Sequence, residues 1–252
     1  MVWFKRRQFI VFLGLLVVVL LSMRLTEFDL SKFKDFQNMS DFLSKWFPMN
    51  TESLPFLFQE SLLTIAIAFL GSLFGLIIAL PLSFYAARNT SNNRIIYTIT
   101  RFFLSFLRSV PEFVFGLILL TTLGLGPFPA VIAIVLHNIG VLGKLISELI
   151  EAADKGPIEA MSAVGAKKWI GNLFGVLPQI WPNVLSQFFY RFEVAIRTSL
   201  ILGLIGGGGI GQQLFIHFKT FQYQLVSVDV LLIMIMVILV DYMGGKIREK
   251  VI

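Results

Sequence analysis

The stretch Gly156–Pro178, GPIEAMSAVGAKKWIGNLFGVLP, decides the fold. It is polar and helix-forming, and long apolar segments flank it on both sides. Pro157 suits the first turn of a helix, where its missing N–H costs nothing. Glu159 falls in that same turn, where a carboxylate meets the positive end of the helix dipole. Ala160, Met161, Ala163 and Ala166 favour helix, while Gly165 permits a turn or a close backbone approach. Lys167 and Lys168 add a basic pair. Between two membrane spans, such a helix is either an ordinary loop element or a surface offered to a soluble partner.

Composition supplies the membrane. The chain has 252 residues, of which 56% are hydrophobic and 14% charged, and its mean hydropathy is +0.82. A soluble domain carries roughly 25% charged residues. Several apolar runs approach the roughly 20 residues that cross a bilayer as a helix. The 26 Phe and 20 Gly suit that class, since Gly is more frequent in membrane helices. With no Cys, disulfides, Cys-ligated metals and thiol catalysis are excluded. With only His137 and His217, a His-rich metal site is not expected, and no catalytic constellation emerges.

Six spans are expected, at about 9–23, 58–85, 102–123, 130–150, 174–204 and 225–242. Residues 1–56 divide off as an N-terminal span plus an external amphipathic segment, whose Phe33, Phe36, Phe42, Trp46 and Phe47 suit a membrane interface. Residues 57–252 form the core. With the N-terminus in the cytoplasm, the basic clusters at 5–7, 88–101, 155–168 and 246–250 share one side. The acid-balanced segment 24–56 falls on the other, as the positive-inside rule requires. The net charge of +6 therefore reads as topology rather than nucleic-acid affinity. An all-α, polytopic membrane protein follows.

The quoted stretch resembles the EAA loop of ABC importer permeases, whose pattern is E-A-A-x-x-x-G, nine intervening residues, then I-x-L-P. Glu159, Ala160, Gly165, Leu177 and Pro178 match, while Met161 replaces the second Ala and Gly175 the Ile. The literal Glu151-Ala152-Ala153 is a decoy, because Pro157 stands where the Gly belongs. R-S-V-P-E at Arg108–Glu112, G-L-G-P at Gly124–Pro127 and H-N-I-G-V-L-G-K at His137–Lys144 are similar to the phosphonate-type branch. So are Y-R-F-E-V-A-I-R-T-S at Tyr190–Ser199 and G-L-I-G-G-G-G-I-G-Q at Gly203–Gln212. Together they extend over about positions 57 to 245.

The resemblance implies a MetI-like type I importer permease fold, with one extra N-terminal span and a five-helix core, in a bacterial plasma (inner) membrane. A coupling helix at about 156–171, through Glu159, Ala160, Gly165, Lys167 and Lys168, would dock into a separate ABC ATPase subunit. The implied partners are two such ATPases, an external substrate-binding protein, and a second permease copy or paralogue. This chain would carry no cofactor, ATP and Mg²⁺ belonging to the ATPase. Phosphonate is the implied cargo, with phosphite, hypophosphite or phosphate in the same branch. Another small solute such as methionine, an ion-coupled secondary carrier and an intramembrane enzyme remain as alternatives.

Two motifs mislead. Gly206, Gly208 and Gly211 satisfy G-x-G-x-x-G, but their flanks are membrane spans rather than a βαβ unit. Gly140–Leu145 lacks the residues of a P-loop at 138 and 145. The glycines at 206, 207, 208, 209 and 211 instead suit a bend or gate near the outer mouth.

Charges within the membrane are functional suspects. Arg108 and Glu112, like Glu193 and Arg197, are spaced i, i+4 and are expected to pair within one helix. They are either neutralised structural pairs, or Arg108, Arg191 or Arg197 makes the path electropositive for an oxyanion. Lys144 is expected to snorkel to the cytoplasmic interface, and His137 to be packed or hydrogen-bonded.

Overall fold

The computed structural model describes residues 6–31, 36–91 and 93–251. Lys5 of the first basic cluster lies outside the described residues, as do Lys32, Phe33, Lys34 and Asp35 of the interfacial segment. The chain divides into two compact units, Met1–Lys45 and Trp46–Ile252. In the first, α1 (Arg6–Leu25) carries the first expected span and α2 (Phe36–Ser44) follows it. The 20 residues of α1 extend about 30 Å, the thickness of a hydrocarbon core.

The second unit is built on α3 (Leu54–Ala86) and α6 (Pro127–Ala152), which run side by side. Along α3 the buried positions Ala68, Gly71, Ser72, Gly75, Ala79 and Ser83 are all small. Gly71 lies against Ile134, and Gly75 against Asn138. Lipid gives helices no hydrophobic reason to associate, so close backbone approach through small residues must do so. Two apolar clusters result. One contains Ile67, Ile134, Ile139, Ile196 and Leu202; the other contains Leu76, Leu142, Ile146, Val184 and Phe188.

The third expected span, at 102–123, is not continuous. It is two helices, α4 (Arg94–Ser109) and α5 (Glu112–Leu123), bent by 85°. Pro111 causes the break by forcing Val110 out of the helical region to φ −86°, ψ 121°. The 12 residues of α5 reach only about 18 Å, so α5 cannot cross the membrane alone.

After α6 come α7 (Gly156–Ala163), the single turn α8 (Lys168–Gly171) and a wide π-helical turn at Asn172–Val176. The π-turn precedes α9 (Leu177–Leu202), which carries Pro178 in its first turn and Pro182 inside.

A second π-turn, Gly203–Gly207, links α9 to α10 (Gly209–Lys219) through a 54° bend. The expected Gly-rich loop is thus a tight corner between two helices, and α10 replaces an expected connection. The last helix, α11 (Tyr223–Val251), is longer than the span expected at 225–242. Among the described residues, four helices can cross a membrane by length and composition, or six spans if each bent pair counts as one.

Candidate functional site

The first candidate site is the tip formed by α7 and α8. Asp154 Oδ1 accepts from the Gly156 N–H at 3.2 Å, opening α7. Gln179, near the start of α9, then fixes that entry. Its Oε1 accepts from Asp154 N–H at 3.0 Å, and its Nε2 donates to the carbonyls of Asp154 at 3.2 Å and Gly175 at 2.5 Å.

Ile158 and Met161 are half-buried, and Ile158 packs on the apolar cluster around Val176 and Ile180. Glu159, Ala160, Ser162, Ala163 and Val164 face outward. This outer surface is thin and mostly uncharged.

The helix ends in a Schellman motif. Gly165 N–H donates to Ser162 O and Ala166 N–H to Met161 O, each at 3.0 Å. That closure needs a positive φ, and Gly165 supplies +77°. Lys167 then precedes α8 in extended backbone, and Lys167 and Lys168 are both exposed.

The decoy Glu151 has a structural task beside this tip. Its Oε1 accepts from Arg88 N–H at 2.9 Å and from Arg101 at 3.0 Å, while Asn89 donates to Ile150 O at 2.7 Å. These bonds clamp the α3–α4 connection to the end of α6.

The second candidate site is a buried polar belt. Among the described residues it lies between the two apolar clusters, at Asn138 on α6 and Arg191 on α9. Asn138 is fully buried, and Arg191 Nε donates to its Oδ1 at 2.7 Å. An Arg191 terminal nitrogen donates to Glu112 Oε1 at 2.8 Å. Thr198 Oγ1 donates to Glu112 Oε2 at 3.3 Å, and Asn138 Nδ2 to Ser72 Oγ at 3.4 Å. His137 Nε2 lies 3.4 Å from Glu112 Oε1, and its Nδ1 faces Val110 O at 3.0 Å. The belt therefore ties α3, α6 and α9 to the break at Pro111.

The expected intrahelical pairs are replaced. Arg108 and Glu112 stand on opposite sides of the Pro111 bend, so Glu112 pairs with Arg191 and Arg108 is exposed. Glu193 and Arg197 share a helix but pair across to α11 instead. Glu193 accepts from Arg248 at 2.6 Å, and Arg197 donates to Asp241 at 2.7 Å. The antiparallel run of α9 and α11 aligns both pairs. Arg197 and Asp241 remain 54% and 41% exposed in the single chain. Lys144 pairs with Glu148 one turn on, at 3.8 Å.

Among the glycines, Gly206, Gly208 and Gly209 take φ of +101°, +84° and +75°. Gly206 O accepts from Gly126 N–H at 2.9 Å, joining this corner to the α5–α6 turn. Gly208 lies against Pro127 and Leu63, and Ile210 N–H donates to Thr64 Oγ1 at 3.0 Å. Gly207 and Gly211 are buried against the backbone of α9. The corner therefore sits at the level of Thr64, ten residues into α3 and about 15 Å below its start.

Gln179, Asn138, Asp241 and Arg248 were missed from sequence as members of these sites. Each reaches its partner across helices, and only Gln179 carried a local signal, one residue after Leu177-Pro178.

Fold and sites together define a helical, multi-pass membrane protein with an exposed helical tip between spans. The profile of the binding-protein-dependent transport system inner membrane component family matches residues 71–251, and the chain belongs to that family. It is 38% identical over 186 residues to the phosphite transport system permease protein of Stutzerimonas stutzeri, covering 74% of this chain and 68% of that one. It is 33% identical over 196 residues to the phosphate-import permease protein of Mycolicibacterium smegmatis, covering 78% of this chain and 37% of that one. Among solved structures, inward-facing MetNI methionine ABC transporter matches with a TM-score of 0.68 at 20% identity, over 81% of this chain and 100% of that one. The fold is that of a MetI-like importer permease.

Proposed function

We propose that this chain forms the membrane path of an ATP-driven importer for a small phosphorus oxyanion, phosphonate, phosphite or phosphate, delivered by an external binding protein. Two permease chains, this one with a second copy or a paralogue, pair with two ATPase subunits that hold ATP and Mg²⁺. The N-terminus and the α7–α8 tip face the cytoplasm. Glu159 anchors the start of the coupling helix, Ala160 keeps its outer face thin, and Gly165 sets its end. Lys167 and Lys168 complete the docking surface.

The observation that carries this reading is the outward face of α7, fixed at both ends yet buried by nothing among the described residues. A helix so held, but presenting Ala160, Ala163 and Val164 to solvent, suits insertion into a cleft of another subunit. Similarity to phosphite and phosphate permeases supports the choice of cargo.

The path runs beside α9. Helix corners at membrane depth are tolerated where they are buried in protein or line a cavity, which fits Gly206–Gly209 and Gly211 as a recessed gate. Glu112 neutralises Arg191 within the belt, and Glu193 neutralises Arg248. Arg108 is exposed, and Arg197, although paired with Asp241, is half-exposed, so these two are the cations an oxyanion could reach. Half-exposed charges at this depth are costly in lipid, so the Arg197–Asp241 face looks onto water or onto a second permease.

The test is co-purification with candidate ATPase and binding-protein partners, then ATPase assays in proteoliposomes. Stimulation by binding protein loaded with phosphonate, phosphite or phosphate, and not methionine, is expected. Failure to bind any ATPase, with proton-driven uptake, would identify an ion-coupled carrier instead.

A further inference from the structure

The end of the spans that carries α7 also holds a cleft of about 390 Å³, walled on one side by Lys168 and Trp169 of α8. Its apolar wall is Pro81, Phe84 and Tyr85 from the last turns of α3, Ile96 from α4, Trp169 from α8 and Leu173 from the π-turn after it. At its mouth Ser91 is shared with a second hollow lined by Arg88, Asn93, Arg94 and Tyr97. Lys168 lines the first cleft, and Arg101 lies behind Tyr97, hydrogen-bonded to its hydroxyl at 2.8 Å.

The level of this cleft is fixed by the chain itself. The apolar run of α3 ends at Ala87, and Arg88 N–H bonds Glu151 at the end of α6. Two long apolar helices therefore end together here, which marks a membrane–water boundary. Trp and Tyr collect at that depth, as exposed Tyr85 and Trp169 do.

The charge at the mouth is unbalanced. Of the cations Arg88, Arg94 and Arg101, Arg101 is paired with Glu151. Arg88 is oriented by Tyr97, whose hydroxyl accepts from its Nε at 3.0 Å. Its guanidinium lies over the Tyr97 ring, and its terminal nitrogens make no hydrogen bond or ion pair among the described residues. Arg94 is exposed and its side chain also has none. An aromatic-lined apolar slot with a basic rim at the interface matches an acyl chain joined to a phosphate.

We propose that this cleft binds an anionic phospholipid from the adjacent leaflet. The chain lies along Phe84, Ile96 and Trp169, and the phosphodiester sits between Arg88 and Arg94. The lipid would brace the α3–α4 connection against the base of the coupling tip. The assignment stands apart from what the permease carries.

The test is native mass spectrometry of the full-length permease purified with equal phosphatidylglycerol and phosphatidylcholine, with and without bound ATPase. Preferential retention of phosphatidylglycerol is expected. Arg88→Gln and Arg94→Gln should each lower that preference about fivefold, and Trp169→Ala should reduce retention of either lipid. Phosphate or glycerol phosphate in solution should displace nothing. Equal retention of the two lipids, or unchanged preference in the Arg88→Gln/Arg94→Gln variant, overturns the proposal. Displacement by inorganic phosphate would also overturn it, in favour of a free-anion site. Loss of lipid on ATPase binding would overturn it too, making the cleft part of the ATPase seat.

Discussion

At the scale of residues, Glu112 and Arg197 show how a shared spacing can lead to different partners. Glu112 is held inside by Arg191, Thr198 and His137, so removing its cation strands a carboxylate. Arg191→Ala should destabilise the folded permease by about 3–5 kcal/mol, read as a loss of thermal stability in detergent. The Glu112→Gln/Arg191→Met double variant should recover part of that loss. Arg197 is instead half-exposed beside Asp241. Arg197→Ala should assemble normally with its ATPase but lose oxyanion uptake, measured with labelled substrate in vesicles; unchanged uptake kinetics would remove Arg197 from the path. The sequence marked both residues as charges within expected spans. It could not supply their partners, because a Pro111 bend of 85° and a neighbouring helix compete with the i, i+4 position.

At the scale of elements, the α7 tip is the most local part of the protein and was the most legible. Pro157 at its start, Glu159 in its first turn and Gly165 past its end are rules of single-helix chemistry. An L side chain at Gly165 must adopt positive φ at a cost of roughly 1–2 kcal/mol. Gly165→Ala should therefore blunt coupling, and Gly165→Asp should abolish substrate-stimulated ATPase while subunits still co-purify. Wild-type stimulation in Gly165→Asp would count directly against the tip as the coupling element. Gln179→Leu should leave the spans intact, since it cuts only the bonds to Asp154 and Gly175. The expected readout is weaker ATPase association with little change in thermal stability. α4 and α5 were read less well. Their apolar content suggested one span, and the break followed from what Pro111 does to Val110.

At the scale of the molecule, the proposed topology, with the α7–α8 tip in the cytoplasm, is tested by labelling. Because the chain has no Cys, single-Cys variants report it cleanly. Glu159→Cys should be labelled by a membrane-impermeant maleimide only after the vesicle interior or cytoplasm is opened. Leu125→Cys, exposed on the α5–α6 turn, should be labelled from outside in intact cells. The opposite pattern would invert the whole arrangement, including the direction of coupling. The small-residue stripe of α3 explains why α3 and α6 form the stable centre around which the bent helices are arranged.

The sequence alone determined the membrane class, the number of spans with the bent pairs counted as one each, the polar tip between them and the family it resembles. These depend on length, composition and local helix rules, which act over a few residues. Only the tertiary structure decided where the helices break, that Glu112 belongs to Arg191 and Arg197 to Asp241, and that the Gly206–Gly209 corner lies about 15 Å below the start of α3. Those facts depend on which helices become neighbours, and close packing through small residues selects neighbours by shape rather than by any pattern within one segment.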